Sequence, residues 1–299
     1  MICTEIYNGQ GLGNQLWVYA VAYAVAKRAG VPLGIARPDK FKAHDIINLK
    51  YDIEAIGGEG PEGGPPTRLP NDIEHYLSER KVNHPSWNCE IGKGDPRFFN
   101  VADRTKLEGY MQCEDYISEF KSEISDVLKP NDKFIHKELY DQNVCVINFR
   151  GTSEYLSQPH VFLKPEYWYA AVQHVMELDP TTKFMVVTDD VRTAQMFFPQ
   201  LQCFHGSIAE DYGLIYSARK LIVSNSTFAW FPSWTSPFNE MTIGPKYWAR
   251  HNISDGFWCV GDSLTKGWHY VDREGGLWDY ESCKKEKDEF ERLNAHLWR

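Results

Sequence analysis

Four short polar clusters, each set directly after an apolar run, hold the side chains of this chain that could do chemistry. Asn8, Gly11, Gly13, Asn14 and Gln15 follow "MICTEIY". Arg150, Thr152, Ser153 and Glu154 follow "NVCVINF", with Asn148 near its end. Asp189 and Asp190 follow "KFMVVT", and Asn225, Ser226 and Thr227 follow "KLIVS". In an open α/β sheet, ligands bind outside the carboxyl ends of the strands, so the four clusters are expected on one rim.

"SNSTF" has the most direct reading. Ser226 or Asn225 is a natural N-cap, leaving the backbone N–H groups of Ser226, Thr227 and Phe228 at a helix start, which attracts phosphate. The plainer reading is a helix cap with no ligand. Arg150 shifts the balance, because Arg is the usual bidentate clamp for phosphate; its plainer reading is a structural ion pair. A helix terminus plus one Arg would suit a diphosphate. Asp211, at the start of "DYGLIYSAR", reads as a partner for the helix dipole or as an acceptor for a guanine edge, and the residues alone favour the former. Asp189-Asp190 reads as a helix cap, a metal site or a sugar contact; a metal would need a third oxygen ligand that the sequence does not name. "GLGNQ" lacks both the GK[ST] ending of a P-loop and the GxGxxG spacing. Its glycines let backbone approach a partner closely, and Asn14-Gln15 put amide donors and acceptors at a helix start.

The elements that must position these residues alternate. "MICTEIY" reads as a buried strand, followed by a helix from about Asn14 to Ala29 closed by Gly30, then "VPLGIA" as a second strand. "IGGEGPEGGPPTRLPN" is a loop, the stretch to about residue 104 is irregular, "KLEGYMQC" is a strand and "EDYISEFKSEISDVL" an amphipathic helix. A second series starts near 143. Its strands are "NVCVINF", "KFMVVTDD", "QCFHG", "KLIVSN" and "EMTIGP". Its helices are "PEYWYAAVQHVMEL", "VRTAQMFF", "AEDYGLIYSAR" and one beginning "STFAWFPSW". The pattern predicts an α/β fold of two Rossmann-like halves facing a cleft, residues 1–138 and 139–299, with mostly parallel sheets. The final helix, about Tyr280 to Leu297, is expected to pack back across the first half.

Composition narrows the function classes. The chain has 299 residues, a net charge of -9 and 14% aromatic residues. No basic run offers phosphate neutralisation, which argues against a nucleic-acid partner. The seven cysteines are scattered and odd in number, with no CxxC or Cys/His cluster. They read as core residues in a reducing compartment. No signal-peptide pattern opens the chain, and "LWVYAVAYAVA" is too short to span a membrane. A cytoplasmic location is expected, with peripheral membrane association left open.

Taken together, these segments resemble the α-1,2-fucosyltransferases of glycosyltransferase family 11, and more distantly the α-1,6- and protein-O-fucosyltransferases. "GQGLGNQLWVYAVAYAVAKRAG" is similar to the family's G-G-L-G-N-Q-[ML]-F-x-Y-A segment. "LEGYMQCEDYI" is similar to its G-Y-[WF]-Q-S-E-K-Y-F, and "VVTDD" to its F-S-D-D strand end. "DYGLIYSARKLIVSNSTFAWFPSW" is similar to its D-L-x-L-M-S-x-C-x-x-x-I-I-A-N-S-T-F-S-W-W-x-A-W.

The resemblance implies an inverting, GT-B-like transferase that uses GDP-fucose without a metal or other cofactor and acts on a glycan acceptor. Arg150 would clamp the β-phosphate. Ser226, Thr227 and Phe228 would line the diphosphate and fucose, with Asn225 and Asp189 beside them. Asp211 would hold guanine, and Gly13, Asn14 and Gln15 would close over the donor from the other half. The chain departs from the family at "NFRGTSEY", where the family has H-x-R-R-G-D-Y. Asn148 replaces the His, which puts the guanosine contact in question, and Gly151 replaces the second Arg, which removes a positive charge. Glu154-Tyr155 would stand for the Asp-Tyr, making Glu154 the first candidate base and Asp189 the second. Pro232 should shorten or kink the helix after "NSTF". Two alternatives follow from these departures: another nucleotide-sugar donor, or a non-catalytic nucleotide- or sugar-binding module.

Overall fold

The computed structural model describes residues 1–7, 9–55, 73–84, 89–92, 94–253 and 264–298. They form two compact units, Met1–Leu128 and the residues from Lys129 onward.

Unit 1 contains β1 (Ile2–Glu5), α1 (Leu12–Ala29), β2 (Leu33–Ala36), β3 (Ile53–Ala55), β4 (His75–Ser78), the antiparallel pair β5 (Lys81–His84) and β6 (Cys89–Gly92), β7 (Thr105–Glu108) and α2 (Lys121–Leu128). Its main sheet is parallel, in the order β3-β2-β1-β7-β4. Strands β2 and β3 lie on one side of β1, β7 and β4 on the other, so the order reverses between β1 and β7. Helix α1 starts at Gly11 and ends at Gly30, which adopts φ 66, a left-handed conformation suited to glycine. Gln15 to Ala22 are buried without a break, so α1 is enclosed on most faces instead of carrying one apolar stripe.

Unit 2 contains α3 (Lys137–Asp141), β8 (Val144–Phe149), α4 (Ser153–Leu156), α5 (Pro165–Leu178), β9 (Lys183–Thr188), α6 (Val191–Phe197), β10 (Gln202–Phe204), α7 (Ile208–Tyr216), β11 (Lys220–Val223), α8 (Thr227–Thr235), β12 (Met241–Pro245), β13 (His269–Val271), β14 (Leu277–Asp279) and α9 (Tyr280–Leu293). The sheet order is β10-β9-β8-β11-β12-β13-β14, parallel except for β14. Counted within the unit, the parallel strands run 3-2-1-4-5-6, the order of a dinucleotide-binding Rossmann sheet, whose switch point lies between β8 and β11. β8 reads as a continuous apolar run because both its faces are covered. Phe149 at its end packs among Phe162, Trp168, Phe197 and Phe198. At the amino edge of the same sheet, the Lys220 ammonium sits 2.8 Å from Asp179 and 3.1 Å from Thr182, so that cation is held within the fold.

Both predicted halves are thus Rossmann-like α/β units, with differences in detail. The division falls ten residues before the expected 138/139, because the segment after Leu128 already packs in unit 2. His136 N donates to Ser217 Oγ at 2.8 Å, and Phe134 backbone lies against Gly213, where an added Cβ would come within 2.2 Å. The last helix belongs to unit 2, where Lys246 and Tyr247 bind Glu286 of α9 at 2.5 and 3.1 Å. The stretch read as irregular holds β4, β5 and β6, which are too short to show a period. The helix expected over "EDYISEFKSEISDVL" is regular only from Lys121; before it come two 3₁₀ turns, Glu114–Tyr116 and Ser118–Phe120. Tyr116 is drawn into a buried cluster there, donating to Glu79 at 3.0 Å. Helix α8 continues through Pro232 to Thr235, with Ser233 and Thr235 hydroxyls bonded back to the Trp230 and Phe231 carbonyls at 2.9 and 2.8 Å.

Candidate functional site

The carboxyl edge of the unit 2 sheet gathers the predicted polar residues. Arg150 and Gly151 follow β8, Asp189 and Asp190 follow β9, His205 and Gly206 follow β10, and Asn225 and Ser226 follow β11. Arg150 and Ser226 therefore flank the switch point between β8 and β11, where open α/β sheets bind their ligands.

Arg150 is held from two sides. Its Nη1 lies 2.8 Å from Asp189 Oδ2, and its guanidinium sits 5.1 Å from the centre of the Tyr155 ring. The other carboxylate oxygen of Asp189 accepts the Gly151 N–H at 2.9 Å. The two aspartates thus divide their work. Asp189 braces the Arg150 turn, and Asp190 caps α6 by accepting from Thr193 N at 3.1 Å. Gly151 is required by space: a Cβ there would lie 2.7 Å from the Phe149 ring and 3.2 Å from Thr193 Cβ. A side chain at this position, an arginine included, would have to displace the Phe149 ring.

Across the switch point, Ser226 is the N-cap of α8, its Oγ accepting from Phe228 N at 3.4 Å. The cap is long, so the amides of the first turn, from Thr227 on, keep their pull on an anion. The Phe228 ring packs edge-on to Tyr212 at 6.3 Å. Asn225, left open with Ser226 as the cap, serves elsewhere: its Nδ2 donates to Val161 O at 2.6 Å and its carbonyl lies 3.4 Å from Tyr155 Oη. Asn148 sits under this turn, accepting from Ser224 Oγ at 3.1 Å. Glu154 lies in α4, and its side chain falls outside the described residues.

Asp211 is the fourth residue of α7, whose start is Ser207 with a reciprocal Ser207–Glu210 capping box. Its Oδ1 accepts from Gly206 N at 2.9 Å, and its Oδ2 lies 3.3 Å from His205 Nδ1. Burial pushes its carboxyl above the usual range. The carboxylate therefore shapes the turn after β10. His205 was absent from the sequence-derived candidates, although the carboxyl-end rule applied to the short "QCFHG" strand points to it.

The three unit 1 candidates divide. Gln15 is fully buried and bonded at both ends, donating to Tyr7 O at 3.4 Å and Lys40 O at 2.9 Å and accepting from Lys42 N at 2.9 Å. It fixes the turns around α1. Asn14 is partly exposed and accepts from Gln112 Nε2 at 3.1 Å, which brings "GLGNQ" and "GYMQC" together. Gly13 is buried in the first turn of α1. Among the described residues no group of three His, Cys, Asp or Glu side chains is placed to hold a metal, and no helix is long and apolar enough to cross a membrane.

No family model matches the chain. Among curated proteins it is 22% identical over 284 residues to the O-antigen biosynthesis glycosyltransferase WbnK of Escherichia coli, covering 81% of this chain and 93% of the relative. An alpha-1,2-colitosyltransferase of Escherichia coli is 22% identical over 295 residues, covering 88% of this chain and 97% of that one. Both of these curated relatives are glycosyltransferases. Among solved structures, NodZ alpha-1,6-fucosyltransferase soaked with GDP-fucose aligns at a TM-score of 0.44 and 16% identity, covering 79% of this chain and 92% of that one.

Proposed function

We propose that this glycosyltransferase moves L-fucose from GDP-fucose to a glycan hydroxyl with inversion, forming an α-1,2 linkage to galactose. The carrying observation is Arg150, held by Asp189 on one side of the unit 2 switch point, with the N-terminus of α8 on the other. A diphosphate placed there meets one guanidinium and one set of helix amides. As the bond from the sugar to the diphosphate lengthens, negative charge grows on the leaving GDP, and these donors stabilise it most at that moment. The sugar passes through an oxocarbenium-like state, and the acceptor hydroxyl attacks from the opposite face. Its proton leaves as the new bond forms, with Glu154 as the candidate base. His205 and Asp211 offer the guanine edge its partners, and Asn14 is the unit 1 candidate toward the donor. The donor's charge is met by Arg150 and α8, so the reading calls for no metal. The free thiols of the described cysteines suit a cytoplasmic enzyme.

The second reading is another donor sugar, favoured by the colitosyltransferase relative. Calorimetry with GDP, GDP-fucose, GDP-mannose, GDP-colitose and UDP-glucose, without added metal, separates the readings. GDP and GDP-fucose are expected to bind to the wild type and to lose affinity in Arg150→Ala. Preference for GDP-colitose would replace fucose as the donor. Binding without turnover on any glycan acceptor would make the protein a binding module.

A further inference from the structure

Unit 1 carries backbone strain at the carboxyl edge of its sheet. Met111, shortly past β7, is fully buried and adopts φ +54, a left-handed conformation that a long side chain rarely takes. The same edge carries Arg37, at φ +53 directly after β2, whose Nε lies 3.0 Å from the buried Glu5 carboxylate. Strained turns persist only where their surroundings over-determine them, and they gather where a fold places function. The strand order reverses between β1 and β7, so the Met111 turn lies beside the switch point of unit 1.

Glu79 holds this turn. It follows β4 directly, and β4 pairs with β7, so its backbone N–H donates to Glu108 O at 2.8 Å. Both oxygens of its side chain are used. Oε2 accepts from Met111 N at 2.7 Å, and Oε1 accepts from the Tyr116 hydroxyl at 3.0 Å. Tyr116 Oη in turn accepts from Asp95 N, so its own proton is committed to Glu79. Two donors converge on one side chain, and a carboxylate accepts at both oxygens where an amide accepts at one. The arrangement is costly. Glu79 is 3% exposed, no cation pairs with it among the described residues, and burial raises its carboxyl above the usual range. Gly109 leaves it room: its φ is +151, and a Cβ there would lie 2.4 Å from Glu79 Cβ. A turn that only joined β7 to the next segment would take glycine at 111 and need no buried charge.

What the turn delivers is Gln112. Its Nε2 donates to Asn14 Oδ1 at 3.1 Å, in the first turn of α1, and Cys113 N closes back on Met111 O at 3.0 Å. We propose that Glu79 is a positioning residue: it locks the left-handed Met111 so that Gln112 sets the Asn14 carboxamide at the edge of unit 1. Its effect on turnover rests on the glycosyltransferase reading, in which Asn14 meets the donor; the positioning itself rests on the turn.

The test compares the whole protein as wild type, Glu79→Ala, Glu79→Gln, Tyr116→Phe and Gln112→Ala, with near-ultraviolet circular dichroism as the check on folding. One readout is the side-chain amide resonances of Asn14 and Gln112 by heteronuclear NMR. The other is kcat for release of GDP from GDP-fucose with water as the acceptor, set beside GDP affinity by calorimetry. Glu79→Gln keeps an oxygen for Met111 N, and Tyr116→Phe removes only the second bond to Glu79. Both are expected to leave the Asn14 resonances in place and kcat within about threefold of wild type. Glu79→Ala and Gln112→Ala are expected to move the Asn14 resonances and lower kcat on the order of tenfold, with GDP affinity unchanged. If Glu79→Ala unfolds, Glu79→Asp, one methylene short of Met111 N, takes its place. Asn14 resonances or kcat equal to wild type in the folded variant overturn the proposal. So does a Tyr116→Phe that moves both as far as Glu79→Ala does, since Glu79 would then be a general prop of the core. With no GDP-fucose turnover by wild type, the donor reading falls and the resonances alone decide the positioning.

Discussion

Arg150 and Asp189 leave the carboxyl ends of adjacent strands β8 and β9 and meet at 2.8 Å, while the second oxygen of the same carboxylate holds the next amide, Gly151 N–H, at 2.9 Å. One aspartate thus fixes both the charge and the backbone of the turn. Asp189→Asn retains an acceptor for Gly151 and removes the charge that orients Arg150. The fold should persist, and GDP affinity should fall on the order of tenfold, the effect of one charge-assisted hydrogen bond. Calorimetry with GDP measures it. Affinity equal to wild type would mean that Arg150 needs no brace.

Gly151 offers a second test, because family resemblance and packing give opposite expectations there. The family carries an arginine at this position, yet a Cβ at Gly151 would sit 2.7 Å from the Phe149 ring. Phe149 is enclosed by aromatic neighbours and has no room to retreat. Gly151→Ala should cost about 1–3 kcal/mol of stability through overpacking. Gly151→Arg should cost at least as much and should not improve GDP binding. Urea denaturation and GDP titration of both variants check this; a stable Gly151→Arg with tighter GDP binding would show that the turn adapts.

The two outcomes at "NFRGTSEY" show what a sequence can and cannot carry. The strands before Arg150, Asp189 and Asn225 were legible because parallel strands covered on both faces read as unbroken apolar runs. The rim followed, since chain direction alone places what comes after each strand. The split between Asp189 and Asp190 was not legible, because it depends on which carboxylate reaches a turn on another strand. Gln15 misled for a related reason: an amide beside a glycine turn reads the same whether it meets a ligand or a distant backbone at Lys40 and Lys42. Strands as short as β4 carry too few residues for alternation to emerge.

Gln15 and Asn14, neighbours in sequence, should respond oppositely to removal. Gln15→Ala leaves Lys40 O and Lys42 N without their partner inside the core and should cost about 2–4 kcal/mol. Asn14→Ala gives up a partly exposed bond to Gln112 and should cost under about 1 kcal/mol, while lowering transferase turnover if Asn14 meets the donor. Chemical denaturation paired with GDP-fucose turnover separates the two. A stable, inactive Gln15→Ala would instead return Gln15 to the ligand.

His251 sets a pH limit on unit 2. The ring lies 3% exposed, 5.3 Å from the Tyr167 ring, and its Nδ1 has no hydrogen-bond partner among the described residues. Burial, with Arg273 adding repulsion, lowers its pKa to about 4. Between that value and the unfolded value of about 6.5 the unfolded chain binds more protons than the native one, so stability rises with pH. Stability should therefore be full near neutrality and fall as the pH drops through that window, by up to about 3 kcal/mol from this residue. His251→Phe keeps a ring against Tyr167 and removes the titration. Thermal unfolding at pH 7 and pH 5 should show a smaller acid loss in the variant than in wild type. Equal losses in the two proteins would assign the acid sensitivity to other groups and show that His251 accepts a proton without cost.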